Sequence, residues 1–152
     1  MVTDYMRDLD IGASMESVLR AEFDLGVRLP FGLRAILLIC NGFTFEDTWR
    51  IYPVLEPRIA RRCWGHIVEE NQSGLSIDQV GRPIKIATDP YGNYLVVLAD
   101  GDICGETILM WEHETARVSQ SDTSFTDLLV ASILHVERIV KRREGASARG
   151  RS

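Results

Sequence analysis

The chain has three histidines, and two of them stand beside carboxylates in patterns that could do chemistry. His113 lies in the run WEHET between Glu112 and Glu114, where a carboxylate could orient the imidazole as a general base or share a metal with it. His66 precedes Glu69 and Glu70 by three and four residues, a spacing that puts all three on one helix face. Both sets are incomplete. Successive residues of a strand point to opposite faces, so Glu112, His113 and Glu114 converge only if the chain turns there. Arg117 occupies the position that the second histidine of an H-E-x-x-H motif would need. No third ligand accompanies His66, and His135 sits beside Val136 in an apolar run that reads as a helix boundary. The chain also lacks a G-x-S-x-G run and a cysteine–histidine pairing. These residues predict no catalytic centre, no metal site and no cofactor.

The stretch TDPYGNYLVVLADGD, residues 88–102, has three candidate chemistries: a phosphate cradle, a calcium loop or a hairpin. A phosphate loop requires several glycines at fixed spacing and a helix after them, whereas Gly92 stands alone ahead of a strand-like run. A calcium loop requires oxygen ligands where Leu95 to Leu98 place apolar side chains. The hairpin fits. Asp89-Pro90 starts the turn, Gly92 supplies permissive backbone, and Tyr94, Val96 and Leu98 alternate with Leu95, Val97 and Ala99.

Composition narrows the partner class. A chain of 152 residues with 45% hydrophobic and 26% charged side chains fits one globular domain. No apolar run approaches the roughly 20 residues of a membrane span, and the Asp-rich start MVTDYMRDLDIG has no apolar signal-peptide core. Cys40, Cys63 and Cys104 are widely spaced and odd in number, which predicts reduced thiols and a cytoplasmic location. The formal charge of −5 is uneven: residues 141–152 hold five basic side chains against Glu144 alone, while the other 140 hold 12 basic and 21 acidic ones. Such an acidic body repels nucleic acid and attracts basic proteins. The small polar tail is expected to be disordered.

The elements that would position these residues are readable in part. Ser14 suits the N-cap of a helix ending at Gly26, and Pro30 suits the first turn of a second helix that Asn41-Gly42 stops. WRIYPV reads as a strand, residues 58–70 as a third helix, and residues 71–82 as a loop. Strands are expected over residues 83–87, 93–99 and 103–111. From Ser124, apolar residues recur at Phe125, Leu128, Leu129, Ser132, Ile133, Val136, Ile139 and Val140, one buried face of a long amphipathic helix. Helices and strands segregated in this way predict an α+β fold, with an antiparallel central sheet carrying an N-terminal helix pair and a long C-terminal helix.

In this order, EFDLGVRLPFGLRAILLICNG, WRIYPV, DPYGNYLVVLADGD, ILMWEHE and SFTDLLV resemble the SUKH superfamily, yeast cell-wall-synthesis regulators and their bacterial relatives. The matching residues are Leu29-Pro30, Asn41-Gly42, Trp49 with Ile51, Gly92-Asn93-Tyr94, Trp111 with His113-Glu114, and Ser124-Phe125. The resemblance implies a domain over residues 14–143, between an N-terminal extension (1–13) and a basic tail (144–152). It implies a non-catalytic immunity protein whose main partner is a cognate toxin domain, basic in charge and often a nuclease or deaminase. A regulatory or scaffold adaptor without a toxin is the alternative. The expected contact residues are Asp47, Asp89, Tyr91, Asn93, Glu112 and Glu114, four acids with a tyrosine and an asparagine near strand ends. Neither a membrane nor nucleic acid is expected as the main partner.

Overall fold

A computed structural model describes residues 11–150. Most of the expected 1–13 extension and the last two residues of the tail therefore lie outside the described residues. Helix α1 (Met15–Leu25) begins where the Ser14 hydroxyl accepts the Ser17 N–H and ends at Gly26 in the left-handed conformation, φ 71°. Helix α2 (Phe31–Ile39) follows, with Pro30 as its N-cap. Its first turn is held from a distance: Glu106 accepts the Phe31 N–H at 2.7 Å, placing negative charge at the positive helix end.

Two short strands come next, β1 (Thr44–Phe45) and β2 (Trp49–Ile51). Residues 58–70 do not form the single helix expected of them. A 3₁₀ segment, Pro57–Cys63, is broken at Ile59, and a four-residue helix α3 (Ile67–Glu70) follows a corner at Trp64-Gly65-His66. The corner has a clear cause. Gly65 takes φ 63°, and the Arg50 guanidinium binds the carbonyls of Trp64 and Gly65, so this backbone serves β2 instead of a helix.

Strands β3 (Arg82–Thr88) and β4 (Tyr94–Asp100) form the centre of the sheet. The strand expected over 103–111 is divided into β5 (Ile103–Cys104) and β6 (Leu109–Trp111), because the chain between them carries Glu106 across to α2. After β7 (Val118–Gln120) comes α4 (Phe125–Arg149), opened by a Ser124–Asp127 capping box. Its length is a second correction, since residues 144–149 are helical and not disordered. Ala146 and Ala148 are strong helix formers, and extending an established helix avoids the cost of nucleation.

The sheet is antiparallel in the order β1-β2-β3-β4-β6-β7, with β5 also paired to β4. A bulge at Ile86 shifts the β3–β4 register, and Ile86 and Ala87 are both fully buried. One face of the sheet supplies Ile84, Ile86, Leu95, Val97 and Ala99 to a core with Val18, Leu33, Ile36, Leu37 and Leu128 from α1, α2 and α4. The domain is α+β, as the patterning predicts.

Candidate functional site

Antiparallel register decides which turns share an end of the sheet. Arg50 pairs with Thr88, Thr88 with Tyr94, and Tyr94 with Trp111. The turns that follow β1, β3 and β6 therefore all emerge at the same end. Six strands at about 4.8 Å spacing make this edge roughly 24 Å wide. All six residues expected from the sequence lie along it: Asp47 in the first turn, Asp89, Tyr91 and Asn93 in the second, Glu112 and Glu114 in the third.

The second turn is internally braced. Asp89 Oδ1 accepts the N–H groups of Tyr91 and Asn93, each at 2.9 Å, and its Oδ2 accepts the Asn93 side-chain amide at 2.8 Å. Asn93 Oδ1 in turn accepts the His113 N–H at 2.8 Å. Asp89 and Asn93 thus use their polar atoms to shape the edge. Tyr91, by contrast, is 79% exposed.

The third turn is formed by WEHET and the two residues after it. Ala116 donates to the Glu112 carbonyl and Glu112 to the Arg117 carbonyl, so the run leaves β6 as a tight turn with Ala116 at φ 53°. His113 stacks near Trp111 at 6.2 Å, while Glu112 spends a carboxylate oxygen on the Thr115 hydroxyl. Glu114 is exposed, as are Glu46 and Asp47, both at positive φ in the first turn. His66 caps α3, its Nδ1 accepting the Glu69 N–H. Among the described residues no group of three or more His, Cys, Asp or Glu could hold a metal ion.

The sheet face opposite the helices gathers Tyr94 and Trp111, which the family pattern had marked, with Lys85, Arg50 and Tyr52, which the sequence did not single out. Tyr94 is their hub: the Lys85 ammonium lies 4.9 Å from its ring centre and the Trp111 ring 5.5 Å from it. Arg50 stacks 5.8 Å from Tyr52 and 5.3 Å from Trp64. Burial pushes the Lys85 ammonium below the usual lysine range, and nearby Glu70 draws it partly back. Burial also raises the Tyr52 phenol, with Glu70 adding to the effect. The alternation of Arg50 with Tyr52, of Lys85 within PIKIAT, and of Tyr94 opposite Trp111 was the available signal.

Comparison with known families now bears on this geometry. The model of the SMI1/KNR4 family (SUKH-1) matches residues 12–131, from the start of the helix pair into α4. The chain belongs to the SUKH-1 family. No curated protein shows significant similarity to it. SUKH-1 domains are known as immunity and regulatory domains. In this SUKH-1 chain the match takes in all three turns and the whole sheet, and it leaves the distal, basic part of α4 outside. No helix among the described residues is long and apolar enough to cross a membrane.

Proposed function

We propose that this SUKH-1 chain is a non-catalytic immunity-type protein that neutralises a cognate toxin domain by stoichiometric occlusion, with the turn-bearing end of the sheet as its contact surface. The observation that carries this reading is the convergence of three turns, which align Glu46, Asp47, Glu112 and Glu114 around exposed Tyr91. A row of acids focuses the field of the acidic body on a basic partner, and an exposed tyrosine supplies a rigid amphipathic anchor. The toxin is then a nuclease or deaminase whose basic nucleic-acid cleft the edge would fill. Asp47, Tyr91, Glu112 and Glu114 make the contact, and Asp89 and Asn93 set its shape. A cytoplasmic place of action agrees with three unpaired, buried cysteines.

The test is co-expression with the toxin domain encoded by the neighbouring gene. Restored growth and a one-to-one complex are expected, both lost with Asp47→Lys plus Glu114→Lys. If the wild-type chain rescues no cell and forms no complex, the alternative of a regulatory adaptor takes over.

A further inference from the structure

Helix α4 has a packed face and an open one. Phe125, Leu128 and Ser132 are buried, Leu129, Val136, Ile139 and Val140 pack against the core, and the His135 ring lies 5.7 Å from that of Phe43. On the other side Val130, Ile133 and Leu134 are 52%, 42% and 46% exposed. The periodic pattern places Ile133 on the buried face, and the structure turns it outward. Residues three and four apart are neighbours on a helix surface, so these three aliphatic side chains form one contiguous patch. The family match ends at residue 131, which leaves Ile133 and Leu134 outside it.

Charge decides what the patch fits. Asp127, Val130, Leu134, Glu137 and Lys141 follow one another in steps of three and four residues, the spacing of a helix-pairing seam, and all five are exposed. The seam opens on an acid and ends in exposed Lys141, Arg142 and Arg143. Lys141 has no ion-pair partner among the described residues. A parallel copy of the helix would set Lys141 against Lys141 and Glu137 against Glu137. An antiparallel copy centred on Leu134 sets Asp127 opposite Lys141, because both stand seven residues from the centre. In that register Val130 covers the aliphatic stem of Arg138.

We infer that the outer face of α4 pairs with the same face of a second copy of this chain, antiparallel about a two-fold axis at Leu134. Such a contact is self-complementary, so the Asp127–Lys141 pair occurs twice and the seam closes at two chains. Three aliphatic residues a side fall well short of a permanent dimer's interface, so the dimer forms with rising concentration and dissociates on dilution. The pairing is independent of what the turn-bearing edge of the sheet binds.

The test is sedimentation equilibrium of the full chain, joined to cysteine cross-linking. The average mass is expected to climb from one chain towards two between micromolar and near-millimolar concentration. Leu134→Glu should raise the dissociation constant about tenfold or more, while its exposed position leaves the far-ultraviolet circular dichroism unchanged. Phe23→Glu, at a 79% exposed residue of α1, should associate as the wild type does. Under mild oxidation Leu134→Cys should link to itself, since the three native thiols are buried and do not compete. Asp127→Cys and Lys141→Cys should each stay unlinked, their two copies lying roughly 21 Å apart along the seam, and should link to each other when mixed. The inference is overturned if the mass stays at one chain throughout, if Leu134→Glu associates as the wild type does, if Phe23→Glu abolishes association, or if Lys141→Cys links to itself.

Discussion

Asn93 reaches across two turns: its Oδ1 accepts the His113 N–H at 2.8 Å while its own amide donates to Asp89 Oδ2 at 2.8 Å. This relay ties the turn after β3, which carries Tyr91, to the turn after β6, which carries Glu114.

Removing the brace should therefore cost both stability and the shape of the surface. Asp89→Ala leaves the N–H groups of Tyr91 and Asn93 without their acceptor, and about 1–3 kcal/mol of stability is expected to go. For a chain of this size that is a fall of roughly 3–10 °C in thermal midpoint, measurable by calorimetry. Asn93→Ala should lose less stability and yet shift the amide resonances of His113 and Glu114. Unchanged resonances there would show that the two turns are independent.

Gly32 predicts a second cost, at the helix pair. A Cβ at this position would lie 2.6 Å from the Phe125 Cβ at the start of α4. Gly32→Ala should push the helices apart and cost about 1–3 kcal/mol by overpacking, despite alanine's better helix propensity. Urea denaturation decides it, and a gain in stability would refute the packing.

How far the fold was legible follows the range of the interactions. Ser14, Gly26 and the Ser124–Asp127 box act within one helical turn, and they mark α1 and α4 correctly in the sequence. The corner at Trp64-Gly65 depends on Arg50, fourteen residues away, and the break between β5 and β6 depends on Glu106 reaching residues 31 and 32. Local periodicity holds no trace of either contact: Ile59, Cys63 and Ile67 keep helical spacing in a segment that is not one helix. The candidate edge was legible because turn residues announce themselves. The contact of Lys85 with Tyr94 was not, because it joins two strands and only their register brings the two side chains onto one face.

The buried thiols should make stability fall in alkali. Burial raises Cys40 and Cys104 from 9.0 to about 11. Between these values the unfolded chain releases the two protons and the folded chain keeps them, so stability falls as pH rises from 9 to 11. The raised Tyr52 phenol acts in the same sense above pH 10. Lys85 opposes them, because a lowered lysine binds fewer protons when folded and so gains stability with rising pH. The expected result is a net decline in urea midpoint between pH 8.5 and 10.5, to be flattened in Cys40→Ala plus Cys104→Ala. An equally steep decline in that double variant would assign the loss to other groups.

Charge and aromatic contact at the edge should separate kinetically once a partner complex is in hand. Glu46, Asp47 and Glu114 are solvated, so they act mainly by steering a basic partner. Asp47→Lys with Glu114→Lys should slow association about tenfold at low salt and converge with wild type as salt is raised, since screening removes long-range attraction. Tyr91 acts at contact range. Its 79% exposure in the free chain means Tyr91→Ala should leave folding stability within about 0.5 kcal/mol. The same change should speed dissociation at least tenfold, as expected of an aromatic anchor. Surface plasmon resonance at two ionic strengths reads both effects. Unaltered dissociation of Tyr91→Ala would move the contact away from the β3–β4 turn, and salt-independent association of the double reversal would remove steering from the mechanism.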